Sequence, residues 1–261
     1  MSKISYSVFT KPWKDKPLPE LAKFLAGLGF DAVELPVRPK FQVQPDNVAK
    51  DLPAAAKVMA DHGLKIASIS GPLTEPMFAA CADAGVKIIR LCEYTGGQKY
   101  IEAEAKLVEK YRGVLGFCDK YGVTIGLQNH CDDYVANATQ MRRICEKFKP
   151  SQVAAVWDQA HCALNGEVAE QAIDIVWDYL CMVNLKNVYW RRKNGLEAPV
   201  AQWEYYWTSG RQGLASWPKV AEELKKRSYS GIVCLTAEYS DEASVDALIA
   251  QDIEFAKSLF A

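Results

Sequence analysis

The stretch VAAVWDQAH, Val153 to His161, decides how the rest of the chain is read. Its first five residues are apolar and partly β-branched, the composition of a strand buried on both faces as in a parallel sheet. Asp158 stands where that run ends, and His161 follows three residues later. Two readings fit these residues alone. Asp158 caps a following helix and His161 is an ordinary loop histidine, or both are functional side chains at the carboxyl end of a barrel strand, where catalytic groups converge.

On both sides of this stretch, short apolar runs alternate with longer amphipathic ones. Strands are expected at Ile4 to Phe9, Ala32 to Leu35, Leu64 to Ile69, Val86 to Cys92, Val123 to Leu127, Val153 to Trp157, Met182 to Lys186 and Gly231 to Glu238. Helices are expected between them, including a long one from Tyr100 to Tyr121 and others at Val168 to Tyr179 and Ser216 to Arg227. Four connections share one chemistry, in which a helix ends at glycine and a strand begins within about two residues: GLGFDAVEL, DHGLKIASI, DAGVKIIRL and KYGVTIGLQ. Eight such units predict a closed (β/α)8 barrel. An open doubly wound sheet would more often carry a glycine-rich loop after its first strand, and none follows Phe9. With no composition break to mark a linker, residues 1–261 are expected to form a single domain, with one long irregular segment at about 187–215 after the seventh strand.

A net charge of -1 gives no electrostatic reason to expect nucleic acid. The eight cysteines stand singly without a CxxC pair, as reduced core residues do in the cytoplasm. The opening MSKISYSVF lacks the apolar region of a signal peptide, and nothing later reaches the length of a membrane span. A cytoplasmic protein without membrane partners is expected.

A barrel would gather the polar residues at the strand ends to one mouth: Glu34, Glu93, Gln128 with His130, Asp158 with His161, Asn184 with Lys186, and Glu238. For Glu34 or Glu93 alone, capping or backbone hydrogen bonding is an equally good account. Asp158 and Glu238 both follow strongly apolar runs, where a carboxylate needs a partner or a task to offset its desolvation.

The elements VEL near Glu34, GLQNH from Gly126, WDQAH from Trp157, VNLKN from Val183 and the closing LKKRSYSGIVCLTAEY resemble the xylose isomerase-like barrel family of sugar and sugar-phosphate isomerases and epimerases, through essentially the whole chain. The resemblance implies a divalent metal, Mn²⁺ or Mg²⁺, held by a Glu, an Asp, a His and a Glu after successive strands. Gln128, Asp158, Asn184 and Glu238 occupy those places, so two ligands match and two depart. An oxygen-only set of this kind suits a hard cation, and no organic cofactor is implied. Gln128 cannot serve as a base, which puts two-sided epimerisation in doubt. Without a metal, Asp158 and Glu238 would face each other, and like charges would raise one of their pKa values.

The resemblance also implies that His130 and His161 face substrate and that Lys186 supplies electrostatic stabilisation. Glu238 is then the expected base and Asp158 its acid partner or a metal ligand. In the long segment, Trp190 and Trp207 offer flat faces to a sugar or to an oligomer contact, and Arg211 is the expected binder of an anionic group; Glu34 is a further substrate contact. The expected partner is a small sugar or sugar phosphate, in a chain that forms a homo-oligomer. The expected reaction is proton abstraction next to a carbonyl, giving isomerisation, epimerisation or, with a leaving group on the next carbon, elimination. The other reading is a non-catalytic sugar-binding subunit with a decayed metal site. A zinc endonuclease on the same fold would need many histidines, and this chain has only His62, His130 and His161.

Overall fold

The computed structural model describes residues 3–261. Eight parallel strands close into a barrel: β1 (Ile4–Phe9), β2 (Ala32–Pro36), β3 (Lys65–Ser70), β4 (Ile88–Cys92), β5 (Thr124–Gln128), β6 (Val153–Asp158), β7 (Leu180–Leu185) and β10 (Gly231–Leu235). Closure is made by β1 pairing with β10, Ile4 against Gly231 through Val8 against Leu235. The strands are short and β-branched, and β2 and β6 are buried along their whole length because helices cover the sheet outside while side chains fill it inside.

The helices are α1 (Leu18–Gly27), α2 (Val48–Ala60), α3 (Glu75–Asp83), α4 (Tyr100–Arg112), α5 (Leu115–Tyr121), α6 (Ala138–Cys145), α7 (Gln159–Leu164), α8 (Ala169–Val176), α9 (Trp217–Lys226) and α10 (Val245–Phe260). The predicted glycine connections are present: Gly29, Gly63, Gly85 and Gly122 all have positive φ, between 63° and 80°, a conformation glycine adopts without Cβ strain. The expected helix from Tyr100 to Tyr121 is instead two. The break falls at Gly113 and Val114, a poor helix former followed by a β-branched residue that leaves the helical region at ψ 2°.

Two cores result. The larger lies between strands and helices, and a smaller one plugs the barrel with Phe9, Ile88, Val156, Met182 and Cys234. Gly126 belongs to that plug, since a Cβ there would come within 2.8 Å of Val156 and 2.9 Å of Ile88. No helix among the described residues is long and apolar enough to cross a membrane, and all eight cysteines are free.

The segment expected to be irregular is not. Residues after β7 form an antiparallel hairpin, β8 (Asn187–Arg192) with β9 (Trp203–Thr208), pairing Val188 with Trp207 and Trp190 with Tyr205. Its aromatic residues are good strand formers, and the loop 193–202 closes it, with a turn at Leu196 and Glu197 in which the Ala198 amide donates to the Gly195 carbonyl at 3.2 Å. At its base the buried Asn187 side chain donates to the carbonyls of Gly210 and Ala215 and accepts from the amide of Ala215, so the hairpin stands over the barrel mouth at a set angle.

Candidate active site

Where β6 ends, Asp158 is completely buried and caps α7. Its Oδ1 accepts the backbone N–H groups of Ala160 at 3.1 Å and His161 at 3.3 Å. Its Oδ2 accepts the side-chain amides of Gln128 at 2.9 Å and Asn184 at 3.4 Å. The capping reading of Asp158 is therefore right as local structure. Burial holds the carboxyl above its usual range, against the opposing effects of Lys186 and these hydrogen bonds. Because a carboxylate only accepts, both amides must turn their NH₂ groups toward it, and the carbonyl oxygens of Gln128 and Asn184 are left buried without partners. We expect Asp158→Ala to cost about 2–3 kcal/mol, the sum of a lost cap and two stranded amide donors, read by urea unfolding.

Glu238 lies three residues past β10, behind Ala237, which is held at φ 52°. A non-glycine residue with positive φ is uncommon and costs of order 1 kcal/mol or more; here it accompanies the turn that carries Glu238 to the mouth. The carboxylate is gripped by Lys11 at 2.5 Å and Lys186 at 3.0 Å. Its burial would raise the pKa, but the two ammonium groups, Lys186 foremost, outweigh this and hold the carboxyl far below the usual range. The expected like-charge pair of Asp158 and Glu238 is thus replaced by two separately satisfied carboxylates, and only Asp158 moves upward.

These contacts bear on the metal. Asp158 Oδ2 is covered by N–H donors, the amide oxygens have turned away from it, and Glu238 is neutralised by two fixed cations. The four positions do not fit a divalent ion as they stand. His130, Cys131 and His161 place ligand-type atoms within 4.8 Å of one another, but the inner ring nitrogens of that cluster are occupied by backbone.

Those backbone contacts set the histidine tautomers. The Nδ1 of His161 accepts from the Cys131 amide at 3.1 Å, so a neutral ring carries its proton on Nε2. His130 Nδ1 lies 2.9 Å from the Cys131 carbonyl, to which it must donate, leaving Nε2 with a free lone pair. The rings lie against each other with centroids 4.1 Å apart and planes tilted by 32°, and Trp207 meets His161 edge-on at 5.0 Å. Burial, reinforced by Lys186 and His130, pushes the His161 pKa well below the ordinary imidazole range. The unfolded chain therefore binds this proton at about pH 6.5 while the folded chain does not, and stability is lost as pH falls below that value. The stability difference between wild type and His161→Gln should shrink by up to about 1.4 kcal/mol per pH unit below 6.5 in urea titrations. Asp252, raised to about 6 by burial, acts in the opposite direction in both proteins and cancels.

Two adjoining cavities open at this mouth, of about 610 and 1000 Å³, sharing Lys11 and Glu238. The first is lined by Gln128, His130, His161, Arg38 and Arg90, and the second by Lys186 and Trp207. Lys186 rests its ammonium 3.6 Å from the Trp207 ring centre.

Other expected site residues lie elsewhere. Glu34 is completely buried and bound to Arg90 Nε at 2.6 Å, behind the cavity rather than on it. Arg211 lines neither cavity, because its guanidinium lies 3.7 Å from the ring centre of Phe255 on α10. Trp190 packs edge-on against Tyr205 on the hairpin and is 45% exposed. Glu93 is bound by Lys110 and Tyr111. Arg90, Arg38 and Lys11 were not picked out from sequence. Arg90 alone left a trace, a lone charge inside the apolar run VKIIRLC.

The xylose isomerase-like TIM barrel profile matches residues 22–259. The chain belongs to this family. Several solved structures with the same barrel are similar over nearly the whole of both chains. A D-psicose 3-epimerase from Clostridium cellulolyticum H10, solved with D-tagatose, aligns with TM-score 0.74 and 14% identity over 100% of this chain and 99% of that one. A probable 3-DHS dehydratase from Bacillus anthracis aligns at 0.76 and 12% over 97% and 98%. A 3-keto-D-glucoside 4-epimerase from E. coli aligns at 0.72 and 13% over 98% and 100%. No curated protein sequence matches significantly. Within the xylose isomerase-like family, this member has Gln128 and Asn184 where the resemblance implies a Glu and a His.

Proposed function

We propose that this barrel abstracts a proton next to the carbonyl of a small polyhydroxylated compound, as an isomerase, epimerase or lyase, without a divalent metal. The observation that carries this reading is the pair of adjacent histidines on one cavity, one with a free lone pair and one neutral with an N–H to donate. His130 Nε2 is the base in this reading. Glu238 cedes that role because a carboxylate held ionised by two lysines has little affinity for a proton. His161 donates its Nε2–H to the developing oxyanion, and a neutral imidazole does this without having to give up a charge. Lys186 and Lys11, fixed by Glu238, add positive potential where negative charge grows. Asp158 holds Gln128, Asn184 and α7 in place. The solved relatives, two epimerases and a probable dehydratase, agree with a common first step of this kind.

The test is deuterium exchange. The full chain, incubated in D₂O with EDTA and a panel of ketoses and keto-sugar acids, should incorporate deuterium at the carbon beside the carbonyl, seen by NMR. Exchange that appears only after Mn²⁺ is added would overturn the metal-free part of the reading, and no exchange with or without metal would overturn the chemistry. In parallel, calorimetric titration of EDTA-treated protein with Mn²⁺ should show no saturable binding.

A further inference from the structure

We propose that Arg38, together with Arg90 and Ser70, forms a subsite for a carboxylate carried by the substrate. The inference rests on the first cavity being the substrate site, and it says what kind of molecule enters.

Arg38 stands in the loop after β2, and that loop is tied down by a bridge between Val37 and Val43 and by the Arg38 amide donating to the Val43 carbonyl at 3.2 Å. Its guanidinium donates to Ser70 Oγ at 2.7 Å, on a residue only 4% exposed at the end of β3. It also lies 5.9 Å from the Phe9 ring centre, and Arg90 lies 4.5 Å from the same ring. Two guanidinium groups are thus held around one aromatic plug and beside one cavity. Their charges are not equally answered. Arg90 is paired with Glu34, whereas Arg38 has no carboxylate within salt-bridge distance among the described residues, and Glu238 and Glu34 act on it only from farther off.

A half-buried cation facing another cation is stabilised by an anion, and the cavity that Arg38 lines is open to one. At this cavity Arg90 is answered by Glu34, whereas Lys11 and Lys186 share the single carboxylate of Glu238, so the mouth carries an excess of positive charge and Arg38 is its guanidinium without a salt bridge among the described residues. Lys186, which shares Glu238, faces the adjoining cavity. A planar fork without a salt bridge pairs with a planar carboxylate in a bidentate manner, and inorganic phosphate is the competing anion. The anionic end of the substrate would then lie on Arg38 and Arg90, in the cavity where His130 and His161 wait for its carbonyl. This places the anion at a different residue from the Arg211 expected from sequence.

A matched pair of linear polyols tests the subsite separately from the chemistry, because neither has a carbonyl to react. The intact chain is titrated calorimetrically with D-gluconate, with D-glucitol and with inorganic phosphate. Wild type should bind gluconate at least about tenfold more tightly than glucitol. Arg38→Gln should erase the preference, and Arg38→Lys should keep part of it because the charge stays while the fork is lost. Equal affinity for gluconate and glucitol in wild type, or an undiminished preference in Arg38→Gln, would overturn the subsite. Phosphate binding more tightly than gluconate would overturn the assignment to a carboxylate. Should Arg38→Gln not fold, the wild-type pair and Arg38→Lys still decide. A gluconate preference without deuterium exchange on any substrate would leave the subsite standing and remove the proposed chemistry, so the two failures are distinct.

Discussion

Glu34→Ala should lower the free energy of unfolding by about 3–5 kcal/mol, the usual cost of stranding one partner of a buried ion pair. Arg90 is 6% exposed, cannot shed its proton, and among the described residues makes its one salt bridge with Glu34, at 2.6 Å. Burial acts to lower the Arg90 pKa, but Glu34 more than offsets it, so the guanidinium stays charged whatever surrounds it. In the variant that charge would sit at the base of the first cavity, beside the Phe9 ring, the Cys92 sulfur and the like charge of Arg38, without its ion-pair partner. For a chain of this size the loss corresponds to a fall in Tm of roughly 10 °C. The double variant Glu34→Leu with Arg90→Met should recover most of the stability, because replacing both charges by apolar groups removes the desolvation problem along with the pair. It should also reduce the preference for gluconate. If Glu34→Ala unfolds within 1 kcal/mol of wild type, the pair is solvated and the buried-pair account is wrong.

The second large effect concerns the reacting groups. His130→Gln should lower kcat by about 10²- to 10⁴-fold, the range for removal of a general base, with little change in stability because His130 is only partly buried. Glu238→Gln should cost less than that. It raises the net positive charge but frees Lys11 and Lys186 from the carboxylate that fixes them, so their ammonium groups are no longer held around the oxyanion, and it leaves the lone pair on His130 untouched. The opposite order, with Glu238→Gln inactive and His130→Gln nearly normal, would return the base to the position that the family resemblance suggests. Deuterium exchange separates the two further, since a lost base abolishes exchange, whereas a weakened oxyanion site slows exchange and turnover together.

Much of this site can be read from single strands. Asp158, His161, Gln128, His130, Asn184, Lys186 and Glu238 follow apolar runs in order, and a parallel barrel brings every strand end to one mouth. The two departures, Gln128 and Asn184, could likewise be named from sequence, and the structure places both on Asp158. Their consequence was not visible there. That the amides would turn their N–H groups to the carboxylate, and that Lys11 would cross from the loop after β1 to Glu238, depends on side chains separated by up to 227 positions. The aromatic segment after β7 was recognised as unusual but not as a hairpin, because its strands pair with each other outside the barrel period.

The sequence by itself determined the barrel, its order of strands and the ring of polar residues at its mouth. Those follow from hydrophobic period, β-branched runs and glycine at helix ends, all of which act within a few residues. Only the tertiary structure decided which charges cancel. Glu34 went to Arg90, Glu238 to two lysines, Arg211 to a phenylalanine face, and Arg38 was left without a salt bridge among the described residues. The physical reason is that an ion pair or a tautomer is set by distances of about 3 Å between groups far apart in the chain, while the pattern that builds the barrel is local and indifferent to which charges the barrel brings together.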